Sequence, residues 1–206
     1  MIVSGSSTNV NAVIDGRRDG LRIGRLTCDH WPIDENRGFA VQAFIKTLFD
    51  IVTLRKGPDA IPHSWLLLNA ATVMWFLPLL AAAVVVPGFG GAAVAASVAS
   101  WALSLACFAA VIVLAGYPGR LLQSLTAIIG CGAIIFVAQV VGLVTMSVLL
   151  GAAVAELVIY LLLFWSVYVK GHIIACTIGR DWYVGLVIAI AVFLLQYAFS
   201  KAVVAA

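Results

Sequence analysis

The run Leu121–Val169, "LLQSLTAIIGCGAIIFVAQVVGLVTMSVLLGAAVAELVIYLLLFWSVYV", decides the fold class. It carries a single charged residue, Glu156. A helix needs about 20 apolar residues to cross about 30 Å of hydrocarbon. The run is too long for one crossing and reads as two, joined by a tight apolar turn between Ser147 and Ala153. Outward from it, Gly116-Tyr117-Pro118-Gly119-Arg120 is a turn, and Ala92–Ala115 is another apolar run. Pro87-Gly88-Phe89-Gly90-Gly91 separates that run from Ser64–Val86. Downstream, Lys170 to Asp181 reads as a loop or short interfacial segment, and Trp182–Val203 as a last span. The expectation is an all-α, polytopic membrane bundle of five transmembrane helices within residues 64–204, with an amphipathic interfacial helix before it.

Composition agrees. Of the 206 residues, 64% are hydrophobic and 10% charged, against about 25% charged in a soluble domain, and the mean hydropathy is +1.12. The net charge of +3 is unevenly spread: of nine acidic residues, seven lie at or before Asp59. Residues 1–38 read as a polar tail too poor in apolar surface to fold alone. Arg17, Arg18, Arg22 and Arg25 are interrupted by Asp15, Asp19 and Asp29 with no aromatic interleaving, so nucleic acid is not an expected partner. The start of the sequence lacks the apolar core of a cleavable signal.

Residues 39–56 form the second unit. At 100° per residue, Val41, Phe44, Ile45, Leu48, Phe49, Ile51 and Val52 gather on one face, and Gln42, Lys46, Asp50 and Thr53 on the other. Such a helix beside a span is expected to lie in the membrane interface. Phe44, Leu48 and Ile51 would enter the acyl boundary, with Arg55 and Lys56 at headgroup level. Packing of the helix on the protein's own cytoplasmic side is the alternative. Gly57-Pro58 ends it.

Cations set the orientation. With the N-terminus inside, Lys46, Arg55, Lys56, Arg120, Lys170 and Arg180 are all cytoplasmic, and Lys201 alone is outside. The positive-inside rule therefore predicts a cytoplasmic N-terminus and an external C-terminus.

Cys28, Cys107, Cys131 and Cys176 show no metal-type spacing. Cys28-Asp29-His30 lacks a second ligand pair, and His172 with Cys176 supplies two ligands where a site needs more. No metal and no cofactor are expected. No paired carboxylates, intramembrane histidine or nucleophile beside a base are visible, so an enzyme is not expected.

The segment "GYPGRLLQSLTAIIGCGAIIF", Gly116–Phe136, resembles bacterial members of the Yip1 family, in which a short glycine-containing loop and a polar helix start lead into the third of five spans. The amphipathic segment before the first span and "WSVYVKGHIIACTIGRDWYVGLVIAI" across the last two are also similar. The resemblance covers residues 39–204. It departs at Gly130-Cys131-Gly132, where those proteins often carry a tyrosine and then a proline, and "RKGP", Arg55–Pro58, stands in place of a "YGP" motif. It implies a five-span fold in a bacterial inner membrane, with the C-terminus periplasmic, and a role as a scaffold or accessory subunit of a membrane complex. The implied partners are the lipid bilayer and a membrane-protein partner or a second copy of the chain.

Within the spans the polar inventory is Asn69, Gln139, Glu156 and Gln196, plus hydroxyls. Glu156 is the one ionisable group clearly inside a span, and such groups are costly. Gln139, Glu156 and Gln196 all fall in the outer half and are expected to face each other inside the bundle. They would be the polar site of a small transporter or channel, the alternative to a scaffold. Pro78 removes one backbone bond in the first span. Ala92, Ala95, Ala96 and Ala99, with Gly130 and Gly132, allow close helix packing.

Overall fold

The computed structural model describes residues 41–85 and 90–205. The tail 1–38, with its arginine cluster and Cys28-Asp29-His30, lies outside them, as do Phe39 and the Pro87-Gly88-Phe89 turn. Six α-helices follow in order: α1 Val41–Val52, α2 Trp65–Val85, α3 Gly91–Leu114, α4 Leu121–Leu149, α5 Ala152–Ile178 and α6 Trp182–Ala205. Short 3-10 turns at Pro58–Ala60 and Pro118–Arg120 precede α2 and α4. Helices α2 to α6 are each long and apolar enough to cross a membrane. In lipid every backbone amide must pair within its own segment, which a helix alone achieves for a single crossing. The chain is thus a multi-pass integral membrane protein.

The helix ends are set by local chemistry. Gly151, at φ +88°, makes the α4–α5 turn inside the expected window. Three helices end in a left-handed residue whose successor's N–H reaches back five residues, the bonding of a Schellman motif. These bonds are Arg55 to Asp50 O at 2.8 Å, Tyr117 to Ile112 O at 3.1 Å and Arg180 to Ala175 O at 3.1 Å. The left-handed residues are Leu54, Gly116 and Gly179. Gly179 corrects one expectation. The helix does not stop at Lys170, because nothing before Gly179 breaks it. The loop shrinks to residues 179–181, and Lys170 and His172 ride on the membrane-spanning α5.

Helix α4 packs between α2 and α5, α5 packs along α6, and α6 packs on α3, which also touches α2 and α4. The α5–α6 seam is the tightest. A Cβ added at Gly171 would come within 2.9 Å of Leu186 Cα, and one added at Gly185 would meet the Gly171 carbonyl and, at 2.7 Å, the Ala175 amide. Gly171 and Ala175 on α5, with Gly185 and buried Ala189 on α6, form two small-xxx-small stripes that let the backbones touch.

Helix α1 overturns the interfacial assignment of its buried face. Phe44, Leu48 and Ile51 are enclosed by protein, with Leu48 and Ile51 wholly inaccessible. They join one core cluster with residues of α2 to α6. The physical reason is Gly130: α4 lacks a side chain there, and the Leu48 methyls occupy the space, 2.8 Å from where a Cβ would stand. The Cys131 thiol points at Leu48 O, 3.8 Å away. Of the apolar set, Ile45 and Phe49 stay exposed and are what remains for the acyl boundary. Arg55 is exposed, and Lys56 pairs with Asp50 at 2.8 Å.

The end of the bundle carrying α1 is tied by polar contacts. Gln123 Nε2 donates to Ile61 O at 2.8 Å, and Arg120 donates to Thr177 O at 3.4 Å and lies 3.9 Å from Asp59. The buried hydroxyls of Ser124 and Thr177 share a 2.8 Å bond between α4 and α5.

Candidate functional site

The five spanning helices surround a half-open cavity of about 340 Å³. Helix α3 contributes Ser97, Ser100 and Ser104, three hydroxyls on one face at spacings of three and four. Helix α4 contributes Gln139 and the bare backbone of Gly132, α5 Ser166 and Lys170, and α6 Gln196, Tyr197 and Ser200. The aromatic wall comes from α2 and α3: Trp75 and Trp101 stack with centroids 4.5 Å apart and planes 18° apart, and Phe136 closes beside them at 6.1 Å from Trp75.

Depth follows from the helix rise. At about 1.5 Å per residue, Lys170 lies about 12 Å inside the Ile178 end of α5, and Ser104 about 15 Å inside the Leu114 end of α3. On the same rise, Gln139 and Ser200 lie about 27 Å from that end of the bundle. The cavity therefore runs from a lysine floor above the α1 end, through the middle of the membrane, toward the opposite side.

The structure brings Gln139 and Gln196 together on this cavity and leaves Glu156 outside its lining. Glu156 is exposed near the start of α5. The cause is axial rather than rotational. It lies on nearly the same face of α5 as Leu163, which lines the cavity, but about 10 Å nearer the helix start. Register agrees: a Cβ on Gly142 would touch Val158 at 3.4 Å, so Glu156 stands about 8 Å beyond the level of Gln139. Asn69 is exposed on α2, away from the cavity.

Two features of the site lie beyond the expected trio. One is the serine stripe on α3, legible as a period of three and four. The other is Lys170, whose cavity position follows once α5 is carried to its glycine stop. Ser100 is the buried side-chain oxygen left without a hydrogen-bond partner among the described residues. Ser124, Thr126 and Thr177, also buried, each have one. The described residues hold no cluster of three or more His, Cys, Asp or Glu side chains able to hold a metal ion.

Chemically, the cavity offers one ammonium, several hydroxyls, two amides and a flat aromatic wall. That is the makeup of a ligand pocket: mostly apolar, with a few convergent polar groups. Comparison with protein-family models, with curated proteins and with solved structures finds no match, so the residues themselves carry the functional reading.

Proposed function

We propose that this protein is a small solute-binding membrane protein, a transporter that admits one solute into the cavity between its five spans. The observation that carries this is convergence: polar side chains from α3, α4, α5 and α6 line one space deep in the apolar bundle. A polar group turned inward in lipid needs a partner. The site of the transporter reading thus becomes Gln139, Gln196, Lys170 and the serines, without Glu156.

The test uses Gly132, which lines the cavity and has nothing within 4 Å of an added Cβ. Gly132→Leu fills the void while the helix gains a better helix former. A thermal-shift screen of small solutes against the purified full chain is expected to give hits that vanish in Gly132→Leu. Hits that survive unchanged in the variant, or a screen without hits beside stoichiometric co-purification of another membrane protein, would favour the scaffold or accessory-subunit role that the Yip1 resemblance implies.

Orientation belongs to the same proposal. Lys46, Arg55, Lys56, Arg120 and Arg180 lie in or beside the elements at the α1 end, and Lys201 is near the far end of α6. By the positive-inside rule this supports α1 and the N-terminus in the cytoplasm and the C-terminus on the periplasmic side of a bacterial inner membrane. The cavity then extends from its lysine floor toward the outside.

A further inference from the structure

We propose that the cavity takes a small organic monoanion, one carboxylate on a compact apolar body, with Lys170 as its counter-cation and Ser100 as one of its hydrogen-bond donors. The inference rests on the solute-binding reading and adds the chemical class of the solute.

Charge is the first argument. Among the described residues, Lys170 is the one Lys, Arg, Asp or Glu in the cavity lining. It stands about 12 Å inside its helix end, and no ion pair holds it among the described residues. A lone ammonium at that depth is expensive, and intramembrane lysines normally pair with an acid or face a water-filled path. Among the described residues this cavity supplies no acid. A bound anion completes the pair, and a bound cation would be repelled.

Donor geometry is the second argument, and it is independent of charge. Ser100 is 5% exposed, lines the cavity, and its hydroxyl has no partner among the described residues. At Thr72, Ser124 and Thr177 the hydroxyl bonds the carbonyl one turn back. A hydroxyl buried without that bond is one kept for something else. Gln196 on α6 stands at about the same height as Ser100 on the helical rise, so its side-chain amide adds a second donor at that level. A carboxylate accepts and does not donate, which suits this set.

Shape is the third argument. A volume of about 340 Å³ is at the small end for ligand pockets. The stacked Trp75 and Trp101 offer a flat apolar face for the body of the solute. A compact carboxylate satisfies both ends, whereas the chains of a phospholipid do not fit such a space.

The experiment measures binding to the purified full chain in detergent by tryptophan fluorescence, since Trp75 and Trp101 report directly on the site. The probes are acetate, benzoate, octanoate and laurate, each beside its neutral amide, with benzylammonium as the cationic counterpart of benzoate. The expected result is that benzoate binds, benzamide and benzylammonium bind far more weakly, and Lys170→Gln weakens benzoate about a hundredfold. Lys170→Arg should retain most of the affinity. Ser100→Ala should weaken it about tenfold, and it provides a second test should Lys170→Gln fail to fold. Equal binding of benzoate and benzamide, or tighter binding of benzylammonium, would overturn the anion while leaving the solute cavity standing. Binding by laurate alone would replace a free solute with a lipid-derived chain. No response to any probe, with Gly132→Leu indistinguishable from the parent protein, would remove the anion and the solute-binding reading together.

Discussion

Leu48 of α1 sits in the space that a side chain at Gly130 of α4 would fill, its two methyls each 2.8 Å from the position of the missing Cβ. This contact makes α1 part of the bundle. An amphipathic pattern shows that a helix has a face to bury, but not whether lipid or protein buries it. Here a glycine on the neighbouring helix decides for protein.

The contact predicts a compensating pair. Leu48→Ala removes a wholly buried side chain and should cost about 2–5 kcal/mol. Gly130→Ala crowds only the mobile tip of a leucine, so it should cost about 1 kcal/mol, the low end for overpacking. The double variant should lose clearly less than the sum, since the new methyl enters the space the leucine vacates. Unfolding midpoints in detergent for the four proteins measure the coupling, and strict additivity would show that α1 does not rest on Gly130.

A second pair of glycines behaves differently because backbone, not a side-chain tip, lies opposite. At Gly185 an added methyl meets the Gly171 carbonyl and the Ala175 amide. Gly185→Ala must therefore push α5 and α6 apart, and a loss at or above about 3 kcal/mol is expected. Gly132→Ala is the control: with open space around it, its stability should hold or rise by up to about 1 kcal/mol through helix propensity. Equal melting shifts for the two variants would contradict the α5–α6 packing.

Glu156 yields a prediction opposite to the one its sequence context suggests. A lone carboxylate in an apolar run is expected to turn into the bundle toward Gln139 and Gln196, where it finds hydrogen-bond partners. The structure leaves it exposed near the start of α5, about 6 Å from the helix end on the helical rise. Glu156→Gln and Glu156→Leu should both shift stability by no more than about 0.5 kcal/mol and leave solute binding intact. Loss of binding in both variants would return Glu156 to the site.

Much of the fold was legible because lipid permits few solutions. The length of 121–169 forces two crossings, and Gly151 falls where the turn must be. Gly116 marks a helix end by the conformation only glycine adopts freely. Lys170 was misread for a simple reason. A charge beside an aromatic cluster resembles a membrane boundary, yet the true stop signal, Gly179, lies two and a half turns further on. The polar site was less legible. Each serine of Ser97, Ser100 and Ser104 reads alone as a hydroxyl able to bond its own helix. Only the closure of five helices shows that the stripe faces Gln139, Gln196 and Lys170 across one space. Glu156 shows the converse: its helical face resembles that of the cavity residues, and its height excludes it.

Water entry into the half-open cavity is the last prediction. Thiolate, not thiol, reacts with methanethiosulfonates, and a thiol ionises only where water reaches it. In a background with Cys28, Cys107, Cys131 and Cys176 all replaced, single cysteines at Ser97, Ser104 and Ser200 should react with a charged, membrane-impermeant reagent. Cysteines at Ala102 and Ala106, exposed on other faces of the same helix α3, should face lipid and resist it. The rates should fall with depth from Ser97 to Ser104, because the latter stands about 10 Å closer to the lysine floor. Reagent added from outside intact cells should suffice if the cavity extends away from the α1 end as its lining indicates. Uniform protection of all three serine positions would mean a dry, closed void. A reaction at Ala102 equal to that at Ser104 would mean that the α3 faces are assigned the wrong way round.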